Sequence, residues 1–108
     1  MRNIEELPEC PVATTISLVG NKWKLLILRN LMKRPWRFNE LQRSLNGVSQ
    51  KVLTDSLRQL ENDGIIYRKD YNINPPKVEY GMTELGLELS KMLDIMASFG
   101  DFYKSKIQ

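Results

Sequence analysis

Histidine is absent from this 108-residue chain, and cysteine occurs once, at Cys10. The first absence removes the commonest general base and the commonest metal ligand, so an enzyme or a metal centre has little to build on. The second excludes an internal disulfide and fits a reducing compartment. Aromatic residues make up only 8% of the chain. Of these, Trp36, Tyr67 and Tyr71 are the ones placed to stack on bases, too few to favour an RNA reader. No apolar run approaches the roughly 20 residues of a membrane span. Met1-Arg2-Asn3-Ile4-Glu5-Glu6 is too polar and acidic for a secretory leader. The expectation is a cytoplasmic protein with no membrane partner, no cofactor and no catalytic site, in a single domain over residues 1–108.

Positive charge is present, and it is concentrated. Lys22, Lys24, Arg29, Lys33, Arg34, Arg37, Arg43, Lys51 and Arg58 fall in one stretch opposed only by Glu40 and Asp55. The chain as a whole carries +3, so the remainder is net negative. A basic block inside a near-neutral protein is the footprint of a polyanion partner. Charge alone is equally consistent with a solvated basic face, so the pattern of elements must decide.

The order of elements is legible from caps and breakers. Pro11 opens a helix that carries Val12, Ile16 and Val19 and stops at Gly20. Asn21 caps a second helix from about Lys22 to Lys33, apolar over most of its circumference and therefore buried on several sides. Pro35 ends it, and Trp36-Arg37-Phe38 reads as a short extended segment. Asn39 with Gln42 reads as a capping box for a short helix to about Leu45. Asn46-Gly47 is a turn, and Ser49 caps a helix that runs to Asp63 before Gly64. The period then changes. Ile65 to Tyr71 and Lys77 to Met82 read as two strands of a hairpin, with a polar tip broken by Pro75 and Pro76. Thr83 caps a last helix reaching nearly to the C-terminus, with Glu84 and Glu88 near its start and Lys104 and Lys106 near its end, as the helix dipole prefers. The fold class expected is α+β, mainly α. It is a winged helix-turn-helix with the recognition helix at about 49–63, the wing at about 65–82 and a C-terminal dimerisation helix at about 83–106.

On the helix after the turn, Val52, Leu53, Ser56, Leu57 and Leu60 share one face. Lys51, Thr54 and Arg58 lie near the middle of the other, flanked by Gln50 and Asp55. Arg and Lys match the guanine edge and Gln the adenine edge. Ser49 and Gln50 stand at the helix N-terminus, the end that enters the major groove in this motif. Asn74 and Lys77 at the wing tip are candidate minor-groove or backbone contacts. Lys22, Lys24 and Arg37 are candidate phosphate contacts bordering that face, and Asn39 is a further candidate DNA-binding residue. An amphipathic helix with a merely solvated polar face is the plain alternative to each.

Several blocks resemble one family. They are Cys10-Pro11-Val12; Gly20 to Leu28; Arg37-Phe38-Asn39-Glu40-Leu41; Ser49 to Thr54; Leu57 to Gly64; and Pro75 to Tyr80 with Thr83-Glu84-Leu85-Gly86. In this order and at these gaps the chain resembles the HxlR-type winged helix-turn-helix regulators, which are MarR-like, over about Cys10 to Gly100. The resemblance implies a dimeric bacterial transcriptional regulator that responds to oxidants, electrophiles or a small ligand. Trp36 stands where a polar residue is more usual, and Gly81 where serine is common. Gly81 is expected to loosen the second wing strand.

In the last helix Leu85, Leu89, Met92, Leu93, Met96, Phe99 and Tyr103 follow helical spacing, and Leu87, Ile95, Phe102 and Ile107 add further apolar surface. That is more than one small domain needs on a terminal helix, so Leu89, Met92, Leu93, Met96, Phe99 and Tyr103 are the candidate homodimer interface, joined by Val12 and Ile16. A two-fold dimer reads a pseudo-palindromic double-stranded operator. Cys10 precedes a helix opened by proline, and a helix N-terminus favours the reactive thiolate, although Glu5, Glu6 and Glu9 oppose this. In the resembled family a cysteine at this position is common and some members sense oxidants with it, so Cys10 is the redox-sensing candidate against an inert packed thiol. The rival function is a winged-helix protein-interaction module that never touches DNA.

Overall fold

The computed structural model describes residues 1–108. Pro11 is the first residue of α1 (Pro11–Val19), with Cys10 at its cap and Gly20 past its end. Asn21 caps α2 (Lys22–Leu31), its side chain accepting the Lys24 N–H at 2.9 Å. α2 stops two residues earlier than the apolar pattern suggests. A short helix, α3 (Phe38–Ser44), begins one residue earlier than expected. The expected Asn39–Gln42 box is not the one that forms. The Glu40 carboxylate instead accepts the Arg37 backbone N–H at 2.8 Å, because Trp36 is already committed to strand pairing and leaves Arg37 as the cap.

Gly47, at φ +94, makes the turn between α3 and the next helix, a conformation that costs glycine nothing. Ser49 then caps α4 (Gln50–Asn62) by accepting the Val52 N–H at 3.1 Å. Gly64, at φ +77, ends it. Strands β1 (Ile66–Asp70) and β2 (Val78–Met82) pair antiparallel, with Ile66 opposite Met82 and Asp70 opposite Val78. Trp36 adds a single antiparallel bridge to Tyr80, through N–H···O bonds of 2.9 and 2.8 Å. The extended segment read at Trp36 is thus a stub of third strand, and it ties α3 to the wing.

The core is formed where α2, α3, α4 and β1 meet. Ile27, Leu28, Leu41, Leu45, Leu53, Leu57, Leu60 and Ile66 are all buried there. Val52, expected on the buried face of α4, is instead 38% exposed, because it lies at the margin of the apolar stripe. Trp36 packs against this core, and its indole donates to the Asn30 carbonyl at 2.9 Å. Gly81 does not loosen β2. It is buried opposite Tyr67, and a Cβ there would run into the Tyr67 ring, so the tyrosine covers the space a side chain would take.

The C-terminal helix is not continuous. Thr83 caps α5 (Glu84–Leu87), accepting the Gly86 N–H at 3.0 Å. The chain then tightens into three-residue hydrogen bonds, Glu88 N–H to Leu85 and Leu89 N–H to Gly86, before α6 (Ser90–Ile107) sets off. Gly86 is the reason for the tight fit: it packs on the Ile65 backbone, where a Cβ would overlap the carbonyl. No helix is long and apolar enough to cross a membrane.

Candidate nucleic-acid interface

The side chains expected to meet DNA start from α4. Its buried side, Leu53, Ser56, Leu57 and Leu60, fixes the helix on the core. On the other side Ser49, Gln50, Lys51 and Arg58 are exposed, and Thr54 is half-buried between them. The Lys51 ammonium reaches the Asp55 carboxylate at 2.8 Å across one helical turn, with the lysine side chain 85% exposed. This hydrogen bond holds the Asp55 carboxyl below its usual range. An exposed pair of this kind adds little stability.

The wing brings a second group of cations. Tyr71 donates to Glu79 at 2.6 Å, which pushes its hydroxyl above the usual tyrosine range. With the ring so held, the Lys69 and Lys77 ammonium groups lie 4.6 and 4.4 Å from its centre. Asn74 is exposed in the tip, together with Pro75 and Pro76.

Between α3 and the wing lies an open polar cleft of about 460 Å³, lined by Arg37, Phe38, Asn39, Glu40, Arg43, Pro76 and Val78. It joins Arg37 and Asn39 to a residue the sequence left unassigned, Arg43. The signal was there in the spacing, since Asn39 and Arg43 are four apart on α3 and so share a face. Glu40, which also lines the cleft, is already engaged by the Arg37 backbone N–H and by Arg34, 3.5 Å distant, so Arg37 and Arg43 are the cleft's cations not paired to it.

The flanking lysines part company. Lys22 is exposed, its ammonium 4.5 Å from the centre of the Trp23 ring. Lys24 is 4% exposed and donates to the Leu18 carbonyl at 3.4 Å, so it does not border the DNA face as expected. Burial pulls its ammonium below the usual lysine range, partly offset by Asp63. In the window between that lowered value and the ordinary one, the unfolded chain holds the extra proton, so stability rises with pH there. Lys24→Met is expected to abolish this alkaline rise in denaturant titrations. It is also expected to change DNA affinity by less than about twofold, as a group off the interface should. A tenfold loss of affinity in this variant would return Lys24 to the interface.

The candidate dimer residues also divide. Leu89, Met92 and Leu93 are half-buried against the chain's own core, just beyond the break after α5. Met96, Phe99 and Tyr103 are 45%, 63% and 59% exposed, and Ile95, Phe102 and Ile107 are open as well. Val12 and Ile16 on α1 are exposed at 68% and 60%. Cys10 is a free, exposed thiol.

Two helices joined by a tight turn, a bare polar face on the second and a basic hairpin beside it define a winged helix-turn-helix, the architecture of DNA-binding transcriptional regulators. The chain belongs to the HxlR-like helix-turn-helix family, whose pattern matches residues 18–108. Among its relatives, the uncharacterized HTH-type transcriptional regulator YdeP of Bacillus subtilis (strain 168) is 41% identical over 103 residues. That alignment spans 95% of this chain and 80% of YdeP. The reduced form of the redox regulator HypR superposes with a TM-score of 0.86 at 37% identity, covering 91% of this chain and 97% of HypR. The reduced form of the transcriptional regulator YodB from B. subtilis superposes at 0.75 with 35% identity, covering 87% and 93%. The chain is a transcriptional regulator and not an enzyme.

Proposed function

We propose that this regulator binds a pseudo-palindromic double-stranded operator as a homodimer, in the cytoplasm. Ser49, Gln50, Lys51, Thr54 and Arg58 on α4 face the major groove. Asn74 and Lys77 on the wing meet the adjacent groove or backbone, while Lys22, Arg37 and Asn39, with Arg43, take phosphates. The observation that carries this is the exposed polar face of α4, on a fold that also opens an arginine-lined cleft between α3 and the wing. A protein-interaction module needs no such convergence of cations. The test is a titration of wild type against duplex from the region beside its own gene, across a salt series. Phosphate contacts predict an affinity that falls steeply with salt. A folded protein that binds neither this region nor any member of a random duplex library would favour the interaction module.

The same reading makes Cys10 the point where an oxidant acts. It is supported by the exposure of the thiol at the head of α1 and by the likeness to HypR, a redox regulator. With one cysteine per chain, oxidation by diamide can yield only an interchain disulfide or a mixed disulfide with a small thiol. Diamide is expected to shift the affinity of wild type for DNA reversibly, by at least about threefold, and to leave Cys10→Ser unchanged. Equal responses from the two proteins would make the thiol inert.

A further inference from the structure

The ion pair that buries its carboxylate most deeply lies away from the DNA face. Asp63 caps the C-terminal end of α4, and its side chain is 3% exposed. Arg2 grips it with both arms of its guanidinium: Nε to Oδ1 and Nη2 to Oδ2, each at 3.1 Å. The same Nη2 also donates to the Ser17 carbonyl on α1 at 3.0 Å. Met1 lies against the next residue, Gly64, where a Cβ would meet its Cγ at 3.0 Å. The N-terminal segment thus holds the end of α4 at two successive residues, and through Ser17 it holds α1 as well.

α1 rests lightly on the core: only Val19 is buried, with Leu18 packed beside it, so an added polar hold bears on its direction. A planar fork that bonds a carboxylate and a carbonyl at once sets both distance and angle. A buried carboxylate left without its cation is strongly disfavoured, which keeps the fork in place.

We propose that Arg2 is a positioning residue. It fixes the angle between α1, whose open face carries Val12 and Ile16, and the recognition helix α4, and so sets the spacing between the two recognition helices of the dimer. This rests on the reading of α4 as the DNA-reading helix and of α1 as part of the dimer face.

The experiment takes a duplex that wild type selects from a random library, and the same duplex with two base pairs inserted between its half-sites. The insertion turns one half-site by about 70° and moves it by about 7 Å. Wild type is expected to lose at least about tenfold in affinity on insertion. Arg2→Met, still dimeric, is expected to lose less than about threefold, because its recognition helices are freer to follow the site. Arg2→Lys keeps the charge beside Asp63 without the fork. It is expected to fall between the two, and it serves where the methionine variant does not fold. A merely structural role would weaken binding to both duplexes alike and leave their ratio untouched. Folded dimeric variants that retain the wild-type ratio overturn the proposal. A wild type that selects no duplex overturns the DNA-binding reading, and this proposal with it.

Discussion

Phe99→Glu is expected to give a folded monomer that binds operator duplex at least about 100-fold more weakly than wild type. Phe99 is 63% exposed, and its nearest aromatic neighbour is Tyr103, at 6.3 Å between ring centres. Beyond Ala97 every residue of α6 except Gly100 is exposed, so this end of the helix has little of its own chain to lean on. The core at Ile27, Leu53 and Leu57 lies elsewhere, and a carboxylate at position 99 of the monomer simply meets water. In a two-fold interface it would instead be buried in each copy among Met96, Phe102 and Tyr103, and an unpaired buried charge costs several kcal/mol. Without the partner, each half-site is bound alone. The effective concentration that tethering supplies is then lost, which accounts for a fall of roughly 100-fold or more. Sedimentation reads the first effect and a duplex titration the second. A variant that still sediments as the dimer would move the interface off α6, with Val12 and Ile16 of α1 as the surface left to test.

Arg58→Ala ranks second, with an expected loss of about 10- to 100-fold, or about 1–3 kcal/mol, and a relaxed preference at one base position of each half-site. Arg58 is exposed on α4 and forms no ion pair, so its guanidinium is free to meet a base edge. Lys51→Ala should behave differently. Its ammonium is already shared with Asp55, and a phosphate contact there would show mainly as a shallower salt dependence, by about one unit of slope. Competition among duplexes that differ at single positions separates the two behaviours. Uniform weakening across all sequences by Arg58→Ala would demote that residue to a phosphate contact.

Much of this was legible in the sequence, for a shared physical reason. Asn21, Ser49 and Thr83 satisfy N–H groups within three residues of themselves, so their roles do not depend on the rest of the chain. The turn at Gly47 is similarly local. What escaped was tertiary. Lys24 reads from sequence as part of a charged border, and nothing in the pattern announces that it is buried with its ammonium on the Leu18 carbonyl. Arg2 and Asp63 are 61 residues apart, beyond any periodicity. Leu89, Met92 and Leu93 share the helical spacing of Met96 and Phe99. What divides them is how far along α6 the chain's own core reaches: it covers Leu89, Met92 and Leu93 and stops short of Met96 and Phe99. Gly81 reads as a weakness from the sequence alone because the Tyr67 ring that covers it comes from the opposite strand.

The free half of α6 has a consequence for gene control. In the proposed homodimer this end of α6 finds its shelter on a second chain, which makes the amount of protein, and not just its affinity, a variable of the switch. While most chains are single, the population of dimers grows as the square of the number of chains, and promoter occupancy grows with it. Halving expression would then cut occupancy about fourfold in the dilute limit. A cell with few copies would hold the promoter almost bare, and a modest rise in synthesis would fill it.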